Sequence, residues 1–101
     1  MNEFEDIRTR AFLGAADAQF NLAVSCANGR GVEPNGAEAV HWYRLAAQQG
    51  DAEAQFALGD AYKHGQGVPQ DDAEAFRWYQ LAAEQGHFGA QVDLARNYLE
   101  G

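Results

Sequence analysis

Sliding the chain along itself by 36 residues aligns segment 15–50 with segment 51–86 without a gap, and 18 of the 36 positions are identical. Self-similarity at this period is the mark of a repeat array, in which each copy is one supersecondary unit that buries its apolar face only by stacking on its neighbours. The identities come in blocks. Ala18-Gln19-Phe20 returns as Ala54-Gln55-Phe56, Gly31-Val32 as Gly67-Val68, and Trp42-Tyr43 as Trp78-Tyr79. Leu45-Ala46-Ala47-Gln48-Gln49-Gly50 returns as Leu81-Ala82-Ala83-Glu84-Gln85-Gly86. A third copy opens at His87 with Ala90-Gln91, Leu94 and Tyr98, and stops halfway at Gly101. The spacing predicts one domain over 1–101: a capping helix 1–14, repeats 15–50 and 51–86, and the first helix of a third repeat over 87–101.

Each repeat reads as two helices, here A and B, because Ala, Leu, Gln and Glu dominate two stretches of about 12 residues separated by Gly-rich punctuation. Asn35 and Asp71 are placed to cap the B helices, with Glu38 and Glu74 three residues later as in a capping box. Gly50 and Gly86 follow the last Ala-rich turn, where a left-handed residue closes a helix, and Gly14 holds the same phase after the N-terminal stretch. The paired glycines Gly29 and Gly31, and Gly65 and Gly67, permit tight A–B turns, with Val32 and Val68 free to fold back on the core. Leu22, Leu58 and Leu94 give an apolar stripe on the A helices, followed by the small residues Ala23, Gly59 and Ala95, which let neighbouring helices approach. The fold class expected is all-α.

Composition narrows the function classes. Hydrophobic residues make up 47% of the 101 and charged residues 22%, the balance of a folded domain rather than a disordered one. No apolar run approaches the ~18–20 residues of a membrane span, and the acidic start Met1-Asn2-Glu3-Phe4-Glu5-Asp6 is unlike an export signal. The lone cysteine, Cys26, has no internal disulfide partner, which favours the cytoplasm. A net charge of −8, from 15 acids against 7 Lys and Arg, repels phosphate backbones and speaks against direct nucleic-acid binding.

The pattern Ala-x-Ala-Gln, then Gly-x-Gly-Val, then Ala-x-x-Trp-Tyr-x-Leu-Ala-Ala-x-x-Gly resembles Sel1-like repeats, relatives of the tetratricopeptide class, from Gly14 onward. The resemblance implies a right-handed α-solenoid of antiparallel helix pairs, about two and a half repeats here, with the A helices lining its concave face. It also implies an adaptor or scaffold role. Some secreted members carry a disulfide in each repeat and some are linked to β-lactam chemistry, but this chain lacks the paired cysteines.

Trp42 and Trp78 share one phase of the B helix beside Leu45 and Leu81 and read as packing residues rather than a ligand cage. His41, His64 and His87 lie 23 residues apart in different elements, without the close pairs of a zinc site. No nucleophile elbow, phosphate loop or metalloprotease motif occurs, so no catalytic residue, metal or cofactor is expected. Cys26 aligns with Tyr62 and Tyr98 and reads as a buried, inert thiol.

Repeat proteins keep packing positions alike and vary exposed ones, so the A-helix positions that differ between copies outline the expected concave binding surface. These are Asn21, Ser25, Asn28, Asp60, Lys63, His64, Asp93, Arg96 and Asn97. Residues 51–101 hold nine acids and three bases, residues 1–50 six acids and four bases, so a basic partner favours the C-terminal half. At the N-terminus Asp6, Thr9 and Arg10 stand where Trp42, Leu45 and Ala46 stand in repeat one, a polar replacement suited to a cap. The third copy keeps Leu94 and Tyr98 in core identities without its B helix, so they are expected to be covered by a second copy in a homodimer through residues 88–101, by another partner, or by a further part of a longer chain. The function expected is a protein-binding adaptor; the alternative is a small acidic decoy that occupies the basic nucleic-acid site of another protein.

Overall fold

The computed structural model describes residues 10, 11, 13–28 and 35–100, apart from the side chains of Asn97, Tyr98 and Glu100. Five helices of 13 residues run through them: α1 (Ala16–Asn28), α2 (Gly36–Gln48), α3 (Ala52–His64), α4 (Asp72–Glu84) and α5 (Phe88–Glu100). Helices α1, α3 and α5 are the A helices, and α2 and α4 the B helices. Each packs mainly on its chain neighbours, α1 on α2, α2 on α3, α3 on α4 and α4 on α5. One-dimensional stacking of this kind defines a solenoid, and the molecule measures 49 × 24 × 16 Å.

The helix ends follow from local chemistry. Asn35 and Asp71 accept backbone N–H bonds from Glu38 and Glu74 at 3.0 and 3.1 Å, satisfying donors that the first turn leaves without partners. Asp51 caps α3 in the same way through the Ala54 N–H at 3.0 Å. Its equivalent in the third copy, His87, caps α5 by accepting the Ala90 N–H on Nδ1 at 3.1 Å. Gly14, Gly50 and Gly86 take φ of 94, 93 and 90°, and the next residue in each case returns its N–H to the carbonyl five residues back, closing a Schellman turn. In the second A–B turn Gly67, at φ 79°, packs so tightly against the first turn of α2 that a Cβ there would lie 2.3 Å from the Gly36 carbonyl oxygen. The loop Gly29-Arg30-Gly31-Val32 lies outside the described residues, as do 1–9 of the N-terminal cap.

Three successive core clusters run along the array. Ala39 and Trp42 of α2 pack on Leu22, Ala23 and Cys26 of α1, whereas Val40, Ala46 and Ala47 of α2 share a cluster with Ala54, Leu58 and Ala61 of α3. The third joins Ala75, Tyr79 and Ala82 of α4 to Ala90 of α5. Both tryptophans are packing residues, 5% and 6% exposed, and Cys26 is buried. Leu58 is fully buried, a placement that contributes about 1.5–3 kcal/mol. Of the three small A-helix residues, Gly59 permits the closest approach, since a Cβ there would meet the Tyr79 ring at 2.7 Å. Ala95, by contrast, is exposed.

Candidate protein-binding face

The A helices are held in register by a repeated glutamine relay. Gln19, Gln55 and Gln91 each donate their side-chain amide to the carbonyl eight residues back, at Ala11, Ala47 and Ala83, each at 3.2 Å, the latter two in the last turns of α2 and α4. Gln49 then donates to Gln19 Oε1 at 2.6 Å, and Gln85 to Gln55 Oε1 at 2.9 Å. Gln19 and Gln55 are 4% and 5% exposed, so each buried amide has a donor and an acceptor contact and fixes where one repeat sits on the next.

On this frame the variable A-helix positions divide. Asn21, Asn28, His64 and Arg96 are exposed; Ser25, Asp60, Lys63 and Asp93 are half-buried. Arg96 meets Asp93 at 3.7 Å on α5. Asp60 accepts a hydrogen bond from the Tyr79 hydroxyl on Oδ1, a contact outside the set read from the sequence. Asn97 and Tyr98, whose side chains lie outside the described residues, complete that set. Leu94 is half-buried against the third core cluster, while Phe88 and Leu99 on the same helix are 78% and 89% exposed.

A cleft of about 200 Å³ opens between α1 and α3 with α2 as its floor. Ala27 of α1, Val40 and Tyr43 of α2, and Ala57, Asp60 and Ala61 of α3 line it, and Gln66 of the second turn closes one end. Of these only Asp60 belongs to the variable set. The signal for the others was a size difference between copies: Ala27 stands where Lys63 does one repeat on, and Ala57 where Asp93 does. Tyr43 is half-buried and Tyr79 fully buried at the same phase. Gly59 leaves room under the Tyr79 ring, whereas Ala23, its equivalent in α1, carries a Cβ. Burial pushes the Tyr43 phenol above its ordinary range, with the Cys26 thiol acting in the same direction. Burial raises the Tyr79 phenol further, helped by its hydrogen bond to Asp60 and by the charges of Asp60 and Asp93. At the N-terminal end Arg10 bonds Asp17 at 2.7 Å and holds that exposed carboxyl below its usual range.

Antiparallel helix pairs stacked one on the next define an α-solenoid repeat protein. Comparison with family models matches the Sel1 repeat at residues 16–51 and 52–87, one residue out of phase with the repeats drawn from sequence identity. The chain belongs to the Sel1 repeat family, whose members in general serve as protein–protein interaction modules and are typically non-catalytic. Among solved structures it is similar to a protective antigen of uropathogenic Escherichia coli strains displaying an SLR fold, with 42% identity and a TM-score of 0.92 over 94% of this chain and 20% of that one. A Sel1 repeat protein from Oxalobacter formigenes matches at 38% identity and TM-score 0.88, over 89% of this chain and 68% of that one. Cysteine rich protein B of Helicobacter pylori shares the fold at 22% identity and TM-score 0.87, covering 93% and 73%. This chain thus spans only a fifth of the first of these proteins. No curated protein matches it. Among the described residues no helix is long and apolar enough to cross a membrane.

Proposed function

We propose that this chain is an interaction module that binds a protein or peptide along the face formed by α1, α3 and α5. The carrying observation is the division of labour among repeat positions. Residues that pack or build the relay, such as Gln19 and Gln55, Leu22 and Leu58, or Trp42 and Trp78, are identical between copies, while exposed A-helix positions such as Asn21, Asn28, His64 and Arg96 are not. Identity without surface exposure is what packing requires, and variation at exposed positions on a rigid frame is what recognition of one partner requires. The −8 charge favours a basic partner.

The test is capture from an extract of the native host by wild type and by a variant carrying Asn21→Lys, His64→Glu and Arg96→Glu. All three positions are exposed, so the variant keeps the fold. A partner held by wild type through 0.5 M salt and lost by the variant supports the proposal; one retained equally by both overturns it. A nucleic-acid-handling partner shed as salt rises would instead favour the acidic decoy. A second contact, between two copies of this chain through α5, is supported by the exposure of Phe88 and Leu99. Light scattering would then give twice the monomer mass, falling to one in Phe88→Glu; a monomer at high concentration counts against it.

A further inference from the structure

The two gaps between consecutive A helices are equivalent in register but opposite in character. The gap between α1 and α3 is walled by the small side chains of Ala27, Ala57 and Ala61, with Asp60 its single charge among these lining residues. One repeat on, the positions of Ala27, Val40, Ala57 and Asp60 are taken by Lys63, Phe76, Asp93 and Arg96. The second gap therefore carries bulk and its own cations, and Arg96 meets Asp93 there at 3.7 Å. Among the described residues, the first gap combines room with an acid whose bonded partner is the neutral Tyr79 hydroxyl rather than a cation.

We propose that the cleft between α1 and α3 seats one lysine side chain of the bound partner, its methylene stem against Ala27, Ala57, Ala61 and Val40 and its ammonium at the Asp60 carboxylate. The inference rests on the A-helix face being the binding face. A lysine is amphipathic in the order the cleft demands, with an apolar stem for alanine walls and a charged tip. Tyr43 adds a ring to the same wall, which favours a cation nearby. The Tyr79 hydroxyl occupies Asp60 Oδ1 and fixes the carboxylate, so a single-point cation fits better than a guanidinium, whose advantage is a two-oxygen grip. The net charge of −8 steers a cation toward the site, and burial within the cleft shields the contact from salt better than an exposed pair.

Titration of the ¹⁵N-labelled chain with Nα-acetyl-lysine amide, followed by NMR, tests this. Saturable shifts confined to the amides of Ala57, Asp60, Ala61 and Gln66 are expected, with affinity about tenfold lower in Asp60→Asn, which still accepts from Tyr79 and should fold. Nα-acetyl-norleucine amide, which keeps the stem and lacks the charge, should bind about tenfold more weakly, and Ala57→Phe, which fills the cleft, should bind neither. Equal binding of the norleucine amide, tighter binding of Nα-acetyl-arginine amide, or shifts spread over the exposed acids Asp71, Asp72 and Glu84 would overturn the assignment. The binding-face reading fails separately: lysine amide would still seat in the cleft while the Asn21, His64 and Arg96 substitutions left partner capture unchanged.

Discussion

Gln85 donates its side-chain amide to Gln55 Oε1 at 2.9 Å, across 30 residues of chain, while Gln55 passes its own amide to the Ala47 carbonyl at 3.2 Å. Two helix pairs are joined at that point by a polar relay in an otherwise alanine-rich interface. A hydrogen bond buried in such surroundings adds little when made and costs more when half of it is removed. The relay fixes register more than it adds stability.

Gln55→Leu should therefore lower unfolding free energy by about 1 kcal/mol, since it removes both side-chain bonds of the relay while the Ala47 carbonyl keeps the Gly50 N–H at 3.0 Å and the exposed Gln85 amide turns to water. Urea denaturation measures it, and a double-mutant cycle with Gln85→Leu should show coupling between the two sites. Additive losses would mean that the relay does not act as a unit.

Gly59→Ala should cost about 1–3 kcal/mol by overpacking, because its Cβ would lie 2.7 Å from the Tyr79 ring. Ala23→Gly, at the same position in α1, should cost only about 1 kcal/mol, the price of a helical glycine. Thermal melts of the two variants side by side give the comparison, and equal losses would contradict the fit of Tyr79 over Gly59.

The Tyr79 phenol is raised above its ordinary value of 10.0 by burial first and by Asp60 second. The unfolded chain thus releases this proton at lower pH than the folded one. The associated stability is fully present below pH 10 and is lost as pH climbs toward the folded value. Tyr79→Phe should show a shallower fall in stability above pH 10 than wild type, with Tyr43 still contributing to the remainder. Parallel curves would remove Tyr79 as the source.

His87 caps α5 by accepting on Nδ1, donates from Nε2 to Glu53 Oε1 at 3.2 Å, and stacks on Phe56 at 4.5 Å. His87→Ala should cost about 1 kcal/mol and speed hydrogen exchange at the Ala90 amide more than at Ala54, whose cap on Asp51 is untouched. Equal exchange at both amides would contradict the cap.

Much of this architecture was legible in the sequence because a 36-residue identity pattern reports packing twice over. Helix pairs, the caps at Asn35 and Asp71, the closing glycines and the buried tryptophans all follow from spacing and side-chain type. The relay was less legible, since contacts across 30 residues join two helices that periodicity places only one at a time. A signal did exist: Gln19 and Gln55 are polar yet identical at packing phase, which gives them a buried task, and the exposed Gln91 repeats the residue in the third copy. The caps at Asp51 and His87 are less legible because Ala54 and Ala90 stand where the B helices carry a capping-box Glu, and at His87 an imidazole replaces the usual oxygen acceptor. Asp60 varies between copies as exposed positions do; its tie to Tyr79 depends on Gly59 giving the ring room, which single-position comparison does not reveal. The cleft arises from the absence of side chains at Ala27 and Ala57, and missing bulk leaves no motif.

The central claim is that partners are held on the A helices. A photo-crosslinking residue, p-benzoylphenylalanine, placed singly at Asn21 and His64 on α1 and α3, and at His41 and Gln80 on the exposed side of α2 and α4, tests it in an extract of the native host. The account requires one discrete crosslinked partner from both Asn21 and His64 and none from His41 or Gln80. Crosslinks from the B-helix positions alone, or equally from all four, would contradict it.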